Sequence, residues 1–146
     1  ISDDPFTDQV YTADQIKDVL PNADITIAAL PSTPETNEFF GKKEFSLMKK
    51  TSFFINIARA SVVNENALVE ALSEHRIAGA ALDVFEKEPL PENHPFWSME
   101  NVIISPHSAS FTPDSWNHVL ELLKNNFIAF SNGEKLTKEI NKAKGY

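Results

Sequence analysis

Three ionisable side chains follow three separate apolar segments of the sequence. Arg59 comes after the segment FFINIA, Glu88 comes shortly after AGAALD, and His107 comes after VIISP. An arginine presents a planar guanidinium that can grip a carboxylate through two hydrogen bonds. A histidine can give or take a proton near neutral pH, and a carboxylate on its far ring nitrogen orients it and stabilises its charged form. Together the three suit the reduction of a keto group that lies beside a carboxylate.

Each of these residues also has an ordinary structural interpretation when it is considered alone. An arginine after a strand is more often a surface residue, and a histidine after a proline is more often a hydrogen-bonding loop residue. Glu88, which precedes Pro89, could be a solvated loop residue. All three follow strands of one predicted sheet, and this favours a shared site. The spacing alone leaves the chemical and the structural interpretation about equally supported.

The elements that must position these residues are predicted from short apolar segments that alternate with amphipathic ones. Buried parallel strands are predicted at 23–30, 53–57, 77–83 and 102–104. Helices are predicted after the N-cap Thr12 with its capping-box partner Gln15, and over 43–48, 65–75 and 113–132, with Gly133 at the C′ position of the last. This alternation is typical of a parallel sheet that is covered on both faces, in which ligands bind beyond the carboxyl ends of the strands.

Composition excludes several classes of function. The chain has 146 residues, of which 42% are hydrophobic, so it can form one domain with a core. Its net charge of −8 argues against nucleic acid as a partner.

The chain has no cysteine, which rules out disulfides and thiolate metal sites and is compatible with the cytoplasm. No spacing of other residues predicts a metal site. No apolar run predicts a membrane span, and the acidic start is unlike a signal peptide. Because the first residue is isoleucine, we expect the natural start to lie upstream.

Four segments, in this order, resemble segments of the D-isomer-specific 2-hydroxyacid dehydrogenases. They are ADITIAALPSTPETNEFF, FFINIARASVVNENALVEAL, AGAALDVFEKEPLP and NVIISPHSAS. The resemblance covers roughly residues 10–131. It implies an NAD(P)-dependent oxidoreductase that transfers a hydride between the cofactor and a 2-oxo or D-2-hydroxy acid.

The resemblance implies a role for each of the three ionisable residues. Arg59 would bind the substrate carboxylate and help to polarise the keto oxygen. His107 would be the general acid in reduction and the general base in oxidation. Glu88, which directly precedes Pro89, matches the catalytic glutamate of the family and would hold His107 protonated for reduction.

The resemblance also implies where NAD or NADP would bind. Asp83 matches the residue that contacts the nicotinamide carboxamide. The residues that would line the nicotinamide end are Ile57, Ala58, Arg59, His107, Ser108 and Ala109. The loop Pro31, Ser32 and Thr33 would pass under the adenosine side of the cofactor. The residue that would choose between NAD and NADP is not in this sequence.

The sequence departs from the family pattern in two respects. Ala60 follows Arg59 where the family usually has glycine, and the glycine-rich phosphate loop is absent from the chain. The predicted fold is therefore the second half of a Rossmann-type doubly wound parallel sheet plus a C-terminal helix. Residues 1–112 would be the later part of the dinucleotide-binding domain, and residues 113–146 a helix and tail that return toward a substrate domain. Half of such a sheet would expose an unpaired strand edge and large apolar surfaces. We expect this piece to be inactive alone and the full-length protein to be a cytoplasmic homodimer.

Two other interpretations remain. Corepressor relatives of the family keep the arginine, glutamate and histidine, so a non-catalytic dinucleotide-sensing protein is an alternative. Formate dehydrogenase, a relative with glutamine where Glu88 stands, is disfavoured because formate oxidation does not need a carboxylate paired with histidine. The sequence does not name the acid that would be the substrate.

Overall fold

The computed structural model describes residues 5–142, and it contains one four-stranded parallel sheet. The strands are β1 (Ile25–Ala28), β2 (Phe53–Asn56), β3 (Gly79–Leu82) and β4 (Val102–Ile104), and they lie side by side in chain order. All three pairings are parallel, so the four carboxyl ends lie along one edge of the sheet. The four predicted strands are confirmed, although three are shorter than predicted.

Within residues 5–142, four α-helices precede, connect and follow the strands. They are α1 (Ile16–Val19), α2 (Lys42–Leu47), α3 (Glu65–Ser73) and α4 (Ser115–Ser131), and a 3-10 turn at Ala13–Gln15 leads into α1. Gln15 accepts a hydrogen bond from the backbone N–H of Thr12 at 3.0 Å, as expected at the start of this helix. The helices fall close to the predicted positions, and the predicted apolar stripe of α3 is buried in the core.

The core lies between the sheet and the helices α2 and α3. Phe54 of β2 is fully buried, and its ring meets those of Phe40 and Phe45 at centroid distances of 5.0 and 5.2 Å. From α3, the buried residues Leu68 and Leu72 complete the same cluster. Burial of each such side chain stabilises the fold by about 1.5–3 kcal/mol.

The opposite face of the sheet is exposed within residues 5–142. Ile25 and Ile27 of β1 are 58% and 57% exposed, and Ile103 of β4 is 72% exposed. Coverage of both faces, which the apolar strands indicate, is therefore not reached within the described residues. One face is covered and the other is apolar and exposed, as expected for half of a doubly wound sheet.

Two glycines have positions that favour glycine for physical reasons. A Cβ atom on Gly79 would lie 2.5 Å from the carbonyl oxygen of Asn101, so glycine allows β3 and the segment before β4 to approach closely. Gly133 has φ +70° and follows the last turn of α4, as predicted for the C′ position.

α4 itself buries none of its residues against the described part of the chain. In that same part, no helix combines the length and apolarity that a membrane crossing requires.

Candidate active site

Arg59 lies directly beyond β2, at the carboxyl edge of the sheet. Its Nη1 atom donates to the carbonyl oxygen of Ala58 at 2.7 Å, which orients the guanidinium while leaving most of its donors unused by that bond. Among residues 5–142, Arg59 forms no salt bridge. It helps to line a polar cavity of about 340 Å³ together with Ser32, Glu88 and His107. The guanidinium is therefore placed where a small anion could reach it.

His107 and Glu88 form a hydrogen-bonded pair at the wall of this cavity. The Nδ1 atom of His107 lies 2.9 Å from Oε2 of Glu88. Because a carboxylate can only accept, Nδ1 carries the proton of this bond and Nε2 remains for another partner. Glu88 and His107 also line a second, more apolar cavity of about 460 Å³, with Leu90 and Trp97 among its other walls. The pair is thus shared by both cavities.

Local contacts hold the pKa of the Glu88 carboxyl below its ordinary value. The hydrogen bond with His107 is the largest cause, and a second hydrogen bond comes from the backbone N–H of Phe85 at 3.0 Å. Partial desolvation and the nearby charge of Asp83 oppose this shift without reversing it. Glu88 therefore stays ionised and can stabilise an imidazolium on His107.

Asp83 is buried behind the loop that carries His107. Its Oδ1 accepts from the Ser105 hydroxyl at 2.6 Å and from the Ser108 N–H at 2.8 Å, and its Oδ2 accepts from the Ala109 N–H at 2.9 Å. Burial alone would raise the pKa of Asp83, but these three hydrogen bonds outweigh it and the pKa is lowered. The carboxylate thus fixes the backbone on either side of His107.

The remaining residues predicted to bind the cofactor follow the strands at the same edge of the sheet. After β1, the hydroxyl of Ser32 lies 2.9 Å from that of Ser61, and the Thr33 N–H donates to Thr36 Oγ1 at 2.9 Å, while Thr36 also donates to the carbonyl of Pro31. The positions predicted from the sequence that do not line the polar cavity are Pro31, Thr33, Ile57, Ala58, Asp83, Ser108 and Ala109. Their assigned contacts with a cofactor stay predictions.

Asn56 is a site residue that the sequence interpretation missed. This buried last residue of β2 accepts from the Ala58 N–H at 3.0 Å and donates to the Arg59 carbonyl at 3.3 Å. A polar residue in an otherwise apolar strand was the available signal. Ser105, whose hydroxyl contacts Asp83, was missed as well.

The alanine that stands in place of the usual glycine does not disturb the site. Ala60 begins a 3-10 turn at Ala60–Val62, and Arg59 before it has extended backbone with φ −140°. Neither residue is in the left-handed region that would require glycine.

Within residues 5–142, no three His, Asp or Glu side chains lie close enough to hold a metal ion.

A parallel α/β sheet with its polar residues gathered beyond the strand ends is the architecture of a dinucleotide-binding domain. The comparison with protein families agrees with this class. Residues 2–109 match the model of the D-isomer specific 2-hydroxyacid dehydrogenase NAD binding domain. The chain belongs to this family.

Similar proteins include enzymes and solved structures of the same family. The glyoxylate reductase of Thermofilum pendens is 45% identical over 124 residues, which are 85% of this chain and 37% of that protein. A crystal structure of a Xanthobacter autotrophicus Py2 D-isomer specific 2-hydroxyacid dehydrogenase with NADPH and MES has a TM-score of 0.83 at 34% identity, covering 91% of this chain and 54% of that one. D-lactate dehydrogenase from Lactobacillus jensenii with NAD+ has a TM-score of 0.76 at 33% identity, covering 86% and 42%. This chain therefore spans between 37% and 54% of the length of these three proteins.

Proposed function

We propose that this chain provides the catalytic residues of an NAD(P)-dependent dehydrogenase that interconverts a 2-oxo acid and a D-2-hydroxy acid. One observation carries the proposal: Arg59, Glu88 and His107 line the same cavity, and Glu88 is hydrogen-bonded to His107. An anion-binding fork beside a polarised imidazole matches a substrate with a carboxylate next to a carbonyl.

Each of the three residues has a defined task in this reaction. Arg59 binds the substrate carboxylate and places the adjacent carbonyl near His107. Because Glu88 holds Nδ1 of His107, the proton that moves during catalysis is the one on Nε2. In reduction His107 gives this proton to the keto oxygen, and in oxidation it takes the proton of the hydroxyl. His107 is an imidazolium before it donates the proton in reduction and after it takes up the proton in oxidation. The ionised Glu88 stabilises this charged form in both directions.

The cofactor would supply the hydride in reduction and accept it in oxidation. The edge of the sheet fits a nicotinamide, since it combines an exposed apolar side chain, Ile57, with polar groups of the neighbouring loops. The residues that would hold the cofactor are Pro31, Ser32, Thr33, Ile57, Ala58, Arg59, Asp83, His107, Ser108 and Ala109. Because Asp83 is already bonded to the loop after β4, its contact with the carboxamide would use lone pairs that these bonds leave over.

We further propose that the segment acts within a longer cytoplasmic, homodimeric protein. In that protein residues 1–112 would complete a dinucleotide-binding domain, and residues 113–146 would return to a substrate domain. Support comes from the exposed apolar face of the sheet and from the apolar side chains of α4, which are exposed in the described part of the chain. Because a similar protein is a glyoxylate reductase, glyoxylate and other small 2-oxo acids are the first substrates to test.

The test is to recover the coding sequence upstream of residue 1, produce the full-length protein, and measure oxidation of NADH and NADPH with a panel of 2-oxo acids. We expect turnover of at least one small 2-oxo acid and its loss in His107→Gln. If the full-length protein binds a dinucleotide without turning over any 2-oxo acid, the proposal is wrong and the dinucleotide-sensing alternative gains support.

A further inference from the structure

Glu65, the first residue of α3, has a largely buried carboxylate that the proposed reaction does not use. Its side chain is 16% exposed. Oε2 accepts the backbone N–H of Glu86 at 3.1 Å, and Oε1 lies 3.2 Å from Nε2 of His94. The carboxylate therefore ties the start of α3 to two points of the segment between β3 and β4.

His94 is fixed in one orientation and one tautomer. Its Nδ1 accepts the backbone N–H of Phe96 at 3.3 Å, and its ring packs against the Phe96 ring with centroids 4.6 Å apart and planes tilted by 50°. Because a backbone N–H can only donate, Nδ1 has no proton in this arrangement, and Nε2 carries the proton that is donated to Glu65. The side chain of His94 is also 16% exposed, so water competes little for this bond.

The turn at residues 85–88 connects this cluster to the candidate active site. Successive N–H groups of the turn point to two different carboxylates: that of Phe85 donates to Glu88 Oε1 at 3.0 Å, and that of Glu86 donates to Glu65. The other oxygen of Glu88 lies 2.9 Å from His107. The position of Glu88 therefore depends on a turn whose backbone Glu65 also holds, through the N–H of Glu86.

We propose that Glu65 and His94 are positioning residues that fix the 85–88 turn so that Glu88 meets Nδ1 of His107. The consequence of this inference for catalysis rests on the proposed function. The claim that Glu65 and His94 position Glu88 is independent of it, because the hydrogen bond between His107 and Glu88 can be measured without substrate, cofactor or turnover.

The first experiment compares the wild-type chain with Glu65→Gln by NMR at neutral pH, using ¹⁵N-labelled histidine. Glu86 and His94 contact different oxygens of Glu65, so a glutamine in the same position turns its NH2 group toward one of these two donors. We expect the fraction of His107 with its proton on Nδ1 to fall toward that of an unpaired imidazole. In a ¹³C titration, we expect the pKa of Glu88 to rise toward its ordinary value of 4.5 as its hydrogen bonds weaken.

The matched control is Glu70→Gln. Glu70 lies on the same helix and pairs with Lys42 on the surface, so this variant also removes a carboxylate from α3 without touching the turn. The control is expected to leave the His107 tautomer unchanged. If Glu65→Gln and Glu70→Gln both give wild-type tautomer fractions, the proposal is overturned.

A second variant keeps the proposal testable if Glu65→Gln fails to fold. His94→Asn retains a side chain that can cap the Phe96 N–H but is too short to reach Glu65. We expect a smaller change in the His107 tautomer, in the same direction, because Glu65 still holds Glu86. An unchanged tautomer in a folded His94→Asn protein would remove His94 from the proposal.

In the full-length protein, Glu65→Gln should lower kcat, by up to about 10²-fold, with little change in the KM for the cofactor. A changed tautomer with unchanged kcat would retain the structural inference while contradicting the proposed role of the pair in catalysis. The two proposals can therefore fail separately.

Discussion

The carboxylate of Asp83, which directly follows β3, accepts a hydrogen bond from the backbone N–H of Ser108 at 2.8 Å. Ser108 directly follows His107 in the loop after β4. His107 has φ 52°, a left-handed conformation that is uncommon for a residue other than glycine. Conformations of this kind persist when surrounding contacts over-determine them. The buried carboxylate supplies those contacts, so the orientation of His107 depends on Asp83.

We therefore predict that Asp83→Asn destabilises the protein by about 1–3 kcal/mol. Asparagine can present its carbonyl to Ser105 and Ser108, but its amide group then faces the Ala109 N–H, so two donors oppose each other. Urea unfolding at neutral pH measures the loss. The matched control is Asp24→Asn, which removes an exposed carboxylate that pairs with Lys49 and should cost well under 1 kcal/mol. Equal losses for the two variants would contradict the assigned role.

The lowered pKa of Glu88 predicts a pH dependence of stability. Since the pKa in the folded protein lies below the ordinary value of 4.5, the pairing of Glu88 stabilises the fold above pH 4.5. That contribution is lost as the pH falls through the folded-state pKa. We expect Glu88→Gln to be less stable than the wild type at neutral pH and to approach it in acid. Urea unfolding on both sides of pH 4.5 checks this, and a stability difference that grows in acid would show the opposite linkage.

The sequence was sufficient to predict the elements that carry the site. A parallel sheet brings the carboxyl ends of its strands to one edge, so Arg59, Glu88 and His107 were expected near that edge once the strands were recognised. The hydrogen bond between His107 and Glu88 was predicted from the family resemblance, and the structure contains it.

Contacts between loops could not be predicted in the same way. The side chains of Glu65 and Ser105 form hydrogen bonds with residues that are distant in sequence, and no periodic pattern indicates such pairs. Asn56 bonds to Ala58 and Arg59, which are close in sequence, but these bonds depend on how the chain turns after β2. Asp83 was correctly placed at a strand end, but its bonds to Ser108 and Ala109 depend on how the loop after β4 folds back. The exposed sheet face was expected for half of a doubly wound sheet, but apolar composition does not name the element that would cover it.

Arg59→Lys should raise the KM for a 2-oxo acid in the full-length protein. Lysine keeps the positive charge but lacks the planar fork, so one of two charge-assisted hydrogen bonds to the substrate carboxylate is lost. Such a bond contributes about 1.5–3 kcal/mol, which corresponds to roughly 10- to 150-fold in KM. Steady-state kinetics measures this effect. Arg76→Lys is the control, because Arg76 pairs with Glu74 on the surface and should leave KM unchanged. An unchanged KM in Arg59→Lys would place the substrate carboxylate elsewhere.

Asn56 gives a prediction whose sign depends on pH. Its side chain accepts from the Ala58 N–H and donates to the Arg59 carbonyl while being 2% exposed. Asn56→Asp keeps an oxygen that can accept from the Ala58 N–H. In its ionised form the second oxygen would face the Arg59 carbonyl oxygen, so two acceptors would oppose each other in a buried position. We expect a loss of about 1–3 kcal/mol at neutral pH.

In acid the same variant should recover part of this loss, because the protonated carboxyl can again donate to the Arg59 carbonyl. The introduced carboxyl would have a pKa raised above that of the unfolded chain, so stability falls as the pH increases through that range. Asn56→Ala cannot titrate and should show a loss relative to wild type that does not vary with pH. Urea unfolding of both variants at neutral and acid pH measures the difference. If Asn56→Asp is as stable as the wild type at neutral pH, the amide does not hold the turn that carries Arg59.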